Sequence, residues 1–132
     1  MKVSSPVTLA TLLERRNLSD RLSLDGGVLA AACPSRIVLD HVTSRWGVLI
    51  LVALSEETLR WGELRRRVEG ISEKMLGQTL RVLERDGFVA RDAQPTIPPR
   101  VDYSLTDRGR AITALLLPLM EWIVANADEI LG

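Results

Sequence analysis

The stretch from Glu69 to Gly87 constrains the fold of this chain more than any other. Glu69-Gly70-Ile71 makes a tight turn, and Ser72 after it is a favoured helix N-cap. Glu73 falls in the first turn, where a carboxylate suits the helix dipole. Helical periodicity runs from there to about Asp86, and Gly87 supplies the left-handed C-terminal cap. The spacing predicts an inward stripe of Met75, Leu76, Leu80 and Leu83. The outward stripe is Lys74, Gln78, Arg81 and Arg85, with Gly77 on the same outer side. Upstream, Gly62 to Val68 reads as a partner helix, with Leu64 and Val68 inward and Arg65, Arg66 and Arg67 mostly outward.

Around this pair the remaining elements can be assigned in order. Residues 1–32 form an N-terminal extension. Leu9, Leu12 and Leu13 predict a short amphipathic helix from Thr8 to about Arg16, and Ser23 to Gly27 predicts a turn. The domain proper is expected over residues 33–132. Pro34 suits a first helical position, and Ile37, Val38, His41 and Val42 mark one helix face. Thr43-Ser44 ends that helix, and Trp46 to Leu54 reads as fully buried. Thr58-Leu59-Arg60 is a short strand candidate. After Gly87 the period changes, and Phe88 to Arg91 and Val101 to Leu105 read as strands. Gln94-Pro95-Thr96-Ile97-Pro98-Pro99 is too proline-rich for a ladder and predicts a protruding loop. Thr106 then caps a long helix from Asp107 to about Leu131.

The chain has 132 residues, 46% of them hydrophobic, enough to enclose one core. A single cysteine excludes an internal disulfide framework, and one histidine beside it argues against a zinc site. No cofactor is implied. The longest uninterrupted apolar runs, Gly47 to Leu54 and Ala114 to Met120, fall short of the roughly 18 to 20 residues a bilayer needs. Glu14-Arg15-Arg16 and Asp25-Gly26-Gly27 spoil any leader signal, so a cytoplasmic protein is expected.

Helix, tight turn, capped helix and a hairpin with a stiff loop form, in that order, a winged helix-turn-helix. The fold class expected is therefore mostly α with a small β-hairpin wing. In such a pair the second helix lies in the major groove and reads bases from its N-terminal half. Ser72, Lys74, Gln78, Thr79 and Arg81 occupy that position. Gln suits a bidentate contact with adenine, and Lys or Arg a contact with guanine. Net charge is zero over the chain, which argues against indiscriminate coating of nucleic acid. Between Arg60 and Arg110, however, basic residues exceed acidic ones by three. Arg65, Arg66 and Arg67 are better placed for phosphates, and Arg100, leaving the proline loop, for the minor groove or its flanking backbone.

The sequence resembles the HxlR-type winged-helix regulators, relatives of the MarR type. The resemblance rests on Cys33-Pro34, Trp46 to Leu54, Trp61-Gly62-Glu63-Leu64-Arg65-Arg66, Gly70 to Glu84, Asp86-Gly87 and Pro95 to Thr106, and extends to about Trp122. It departs in the longer extension, 1–32, and in Trp61, where such proteins often carry Phe. The resemblance implies a homodimeric transcription factor acting on double-stranded DNA at an inverted-repeat operator, without catalytic activity. Some members of that family sense oxidants or electrophiles through a cysteine at the position of Cys33. A small-molecule effector is a further partner to consider, because Trp46 and Trp122 could line a pocket; such aromatics are more often core or interface anchors. The competing class is a winged-helix protein-interaction module without DNA binding, which Lys74, Gln78 and Arg81 disfavour. His41 and Ser72 have no partner set for catalysis, so helix and cap roles explain them. Finally, the last helix carries two apolar faces. Ile112, Leu115, Leu116, Leu119, Trp122 and Ile123 are expected inward. Leu117, Met120, Val124 and Leu131 are left for a dimer partner.

Overall fold

The structure is a computed structural model that describes residues 33–132. The helix expected at Thr8 to Arg16 and the turn at Ser23 to Gly27 lie outside the described residues. The chain divides into two compact units, residues 1–40 and 41–132. Helix α1 (Pro34–Thr43) begins in the first and ends in the second. Then follow α2 (Arg45–Glu56), β1 (Leu59–Arg60), α3 (Trp61–Arg67), α4 (Glu73–Arg85), β2 (Val89–Gln94), β3 (Arg100–Leu105) and α5 (Asp107–Leu131). The three strands form one antiparallel sheet in the order β1-β3-β2. Leu59 pairs with Tyr103, and Val89 to Gln94 pair with Leu105 to Arg100. The hairpin is longer than the sequence suggested: ladder pairing carries Asp92, Ala93 and Gln94 into β2, so Gln94, expected in the loop, belongs to the strand.

Side-chain caps start three of the helices. The Ser44 hydroxyl accepts from the Gly47 amide at 3.1 Å, Ser72 from Met75 at 3.0 Å and Thr106 from Gly109 at 3.0 Å. Each satisfies an amide that the helix itself cannot, which stabilises by about 1 kcal/mol. Gly70 and Gly87, at φ of 91° and 82°, take the left-handed turns on either side of α4.

The core is built from Ile50, Leu51 and Leu54 of α2, Leu64 of α3, Leu76, Leu80 and Leu83 of α4, and Phe88, Val89, Tyr103 and Leu105 of the sheet region. Three expectations need correction here. Met75 is 37% exposed rather than inward, because it lies to one side of the Leu76, Leu80, Leu83 stripe. Helix α2 is not buried all round: Val48, Leu49 and Val52 are only half covered, because so small a domain has too few elements to wrap it. The third correction concerns α5, which runs as one helix through Pro118. Its inward residues are Gly109, Thr113 and Leu116, at i, i+4 and i+7, with Ile112, Leu117 and Met120 half-buried. Leu115, Leu119, Trp122 and Ile123, expected inward, are exposed. Close approach sets the orientation: a Cβ on Gly109 would meet the Phe88 carbonyl oxygen at 2.0 Å, so only this small-residue edge can face the hairpin.

By length and composition together α5 could cross a membrane, although no uninterrupted apolar run in it suggested so. Its first half, however, is packed on the domain. The part beyond Pro118 is shorter than the roughly 20 residues a span requires.

Thr113 is 1% exposed, and its hydroxyl has no hydrogen-bond partner among the described residues. An unsatisfied buried hydroxyl costs about 1 to 3 kcal/mol. Thr113→Val is therefore expected to raise stability by about 1 kcal/mol in urea unfolding at fixed protein concentration. A loss of that size instead would show that the hydroxyl is bonded in solution.

Candidate nucleic-acid interface

Helices α3 and α4 are joined by the turn at Val68 to Ile71, closed by the Ile71 amide donating to the Val68 carbonyl at 3.3 Å. Burial of Leu76, Leu80 and Leu83 turns the opposite side of α4 to the surface. Lys74, Gln78, Arg81 and Arg85 recur there at i, i+4, i+7 and i+11, and all four are exposed. Their side chains make no hydrogen bond or ion pair among the described residues. The same is true of Arg66 on α3.

The other expected site residues are differently placed. The Ser72 hydroxyl is committed to the cap, although the residue is exposed at the start of α4. Thr79 is half-buried on the flank of α4, and its hydroxyl donates to the Met75 carbonyl at 2.7 Å. Arg65 lies 3.6 Å from the Glu73 carboxylate and is half exposed. Arg67 does not belong with Arg65 and Arg66, because it is held by Glu56 and Glu57 at the end of α2. Arg100 begins β3, with Nε donating to the Asp102 carboxylate at 3.0 Å. Gly77 is buried, not outward. It faces the Trp61 indole, and a Cβ there would make an ordinary contact at 3.4 Å.

Two features escaped the sequence. The His41 ring, through Nδ1, is bonded to the Asp86 carboxylate at 2.6 Å, tying the end of α1 to the C-cap of α4. Arg91 on β2 is exposed and unpaired among the described residues. Its alternation with buried Val89 was legible, but which surface that strand face meets was not.

Cys33 precedes α1, and its carbonyl accepts from the amides of Arg36 and Ile37. The Ser35 amide beside the sulfur holds the thiol below its usual range. Partial burial opposes this, while the Arg36 amide and the Ser35 hydroxyl add to it. Trp46 is half-buried with the Arg45 guanidinium 4.2 Å over its ring, whereas Trp122 is 59% exposed on α5.

The tight turn, the capped helix with its free polar stripe and the adjoining hairpin define a winged helix-turn-helix protein. The HxlR-like helix-turn-helix family matches residues 41–130. The chain is 53% identical over 116 residues to the uncharacterized HTH-type transcriptional regulator YtfH of Escherichia coli (strain K12), covering 88% of this chain and 91% of that one. The solved structure of ytfH from Salmonella typhimurium, a candidate transcriptional regulator, is 51% identical. It superposes with a TM-score of 0.76 over 81% of this chain and 96% of its own. The redox regulator HypR in its oxidized form is 35% identical, with a TM-score of 0.66 over 71% and 97%. The chain belongs to the HxlR-like helix-turn-helix family and is a transcriptional regulator of the helix-turn-helix type.

Because the Ser72 hydroxyl bonds the Met75 amide while the Lys74 side chain has no partner among the described residues, the effects of their replacement on stability should separate. Ser72→Ala is expected to lower unfolding free energy by about 1 kcal/mol, and Lys74→Ala to leave it within 0.5 kcal/mol, in chemical denaturation.

Proposed function

We propose that this regulator binds double-stranded DNA sequence-specifically, as a homodimer on an inverted-repeat operator in the cytoplasm. The observation that carries this reading is where the unpaired polar side chains are. Lys74, Gln78, Arg81 and Arg85 share one exposed helix face, with Arg66 on the neighbouring helix, while Arg67, Arg100 and Arg110 are spent on carboxylates. A free cation retains its full attraction for phosphate, whereas a paired one must first give up its partner.

In this proposal α4 enters the major groove, and half-sites fall about one helical turn, or a multiple, apart. Lys74 and Gln78 meet base edges and Arg81 the adjoining backbone, with Ser72 and Thr79 flanking them on α4. Arg65 and Arg66 serve the phosphates, whereas Arg100, expected to do so from the sequence, is held by Asp102. Gln78→Ala is expected to cost about 1 to 3 kcal/mol on an operator isolated by selection from random duplexes, and little on random DNA. Arg66→Ala should weaken binding to both and reduce the salt slope by about one. If neither variant changed binding, a protein-interaction module would remain.

The dimer is supported by the uncovered apolar side of α5. Leu115, Leu119, Trp122 and Ile123 are 40 to 59% exposed there, and a contiguous exposed apolar stripe marks an interaction surface. A second copy meeting the same face would close a symmetric interface. Trp122→Glu is expected to shift sedimentation at micromolar concentration from dimer to monomer, and an unchanged dimer would move the interface elsewhere.

Response to oxidants is supported by the lowered thiol range of Cys33 and by the relation to HypR, a redox regulator solved in an oxidized form. The thiolate fraction at neutral pH rises as the thiol titrates lower. Alkylation of Cys33 should therefore half-saturate with pH below the roughly 8.5 of an ordinary thiol. DNA affinity should differ between reduced and oxidized protein. Equal affinities would leave Cys33 as a packing residue.

A further inference from the structure

Between α4 and the hairpin runs an open cleft of about 600 Å³. Trp61, Leu80, Val101 and Tyr103 line its floor, and Arg81, Arg91 and Glu84 its rim. Arg81 comes from α4 and Arg91 from β2, where it is in register with Tyr103. Side chains alternate along a strand, so Arg91 leaves β2 on the same face as Val89, the face that meets α4. Both guanidiniums are exposed and unpaired among the described residues. The hairpin's other arginine, Arg100, is bonded to Asp102.

We propose that this cleft takes the phosphodiester backbone of one DNA strand, with Arg91 as the hairpin's phosphate-binding residue in place of Arg100. The inference rests on the DNA-binding function proposed above. Three features favour a nucleic-acid strand as occupant. The rim holds two positive charges against one negative, the apolar floor suits sugar carbons, and the cleft opens beside the exposed stripe of α4. A guanidinium on each side grips a phosphate where a single surface cation would only attract it. Glu84 opposes the anion, so its charge weakens the grip.

The test uses the full chain and a short random-sequence duplex, with fluorescence anisotropy read over a range of KCl. Arg91→Ala should weaken binding about 3- to 10-fold and lower the salt slope by about 0.9, while Arg91→Lys restores most of the slope. Arg100→Ala should leave the slope unchanged. Glu84→Gln should tighten binding about 3-fold, a gain that misfolding cannot produce. Unchanged affinity in both Arg91→Ala and Glu84→Gln would overturn the assignment, as would a loss confined to Arg100→Ala. If the unaltered chain bound no duplex at any salt concentration, the DNA-binding function itself would fall, and this cleft with it.

Discussion

Asp86, Gly87 and Phe88 turn the chain from the end of α4 into β2, and segments remote in sequence are bonded to these three residues. His41 holds the Asp86 carboxylate, and Arg108 donates to the Asp86 carbonyl at 2.9 Å. The Thr106 hydroxyl donates to the Gly87 carbonyl, and the Thr106 amide to that of Phe88 at 3.1 Å. Gly109 packs so closely on Phe88 that no side chain fits between them. The end of α1, the hairpin and the start of α5 are thus fixed to one end of α4. At the other end are the Ser72 cap, the ion pair of Glu73 with Arg65 and buried Leu76. With α4 set at both ends, its outer face in the N-terminal half carries Lys74 and Gln78 to the surface.

The same anchoring explains how charge is distributed. A small domain must neutralise or solvate its cations. Here those at the periphery are neutralised, Arg67 by Glu56 and Glu57 and Arg110 by Asp107. Those on α4, with Arg66 and Arg91, have no partner among the described residues. Exposed ion pairs contribute little to stability, so the difference matters less for folding than for what the surface attracts. The apolar side of α5 follows a similar logic. Its first turn is held against the hairpin by Gly109 and the helix packs on α2, so Leu115, Leu119 and Trp122 point away from the core.

Much of this was legible in the sequence because local rules act within a few residues. The Ser72 and Thr106 caps, the glycine turns, the Leu76, Leu80, Leu83 stripe and the proline loop were all read from spacing and residue type, and the structure shows each of them. The exposed stripe of Lys74, Gln78 and Arg81 follows from the same periodicity. Where local rules compete with packing, the sequence misled. Larger apolar residues on α5 pointed to the wrong inward face, because hydrophobicity ranks Leu119 and Trp122 above Gly109 and Thr113. Close approach ranks them the other way. Gly77 was assigned to the outside for the same reason: nothing in its neighbours reveals that Trp61 packs against it.

The sequence by itself therefore determined the elements, their caps and the polar face of α4, since each depends on residues one or two turns apart. The tertiary structure decided which arginines are held by remote partners. Arg67 looks like Arg66 in the sequence, but Glu56 and Glu57, at and just after the end of α2, hold it. It also decided that Arg81 and Arg91 face one cleft, because their meeting depends on the hairpin register and on the angle at which β2 leaves Gly87. Long-range pairing of that kind is set by packing at Phe88 and Gly109, and no periodicity in the chain encodes it.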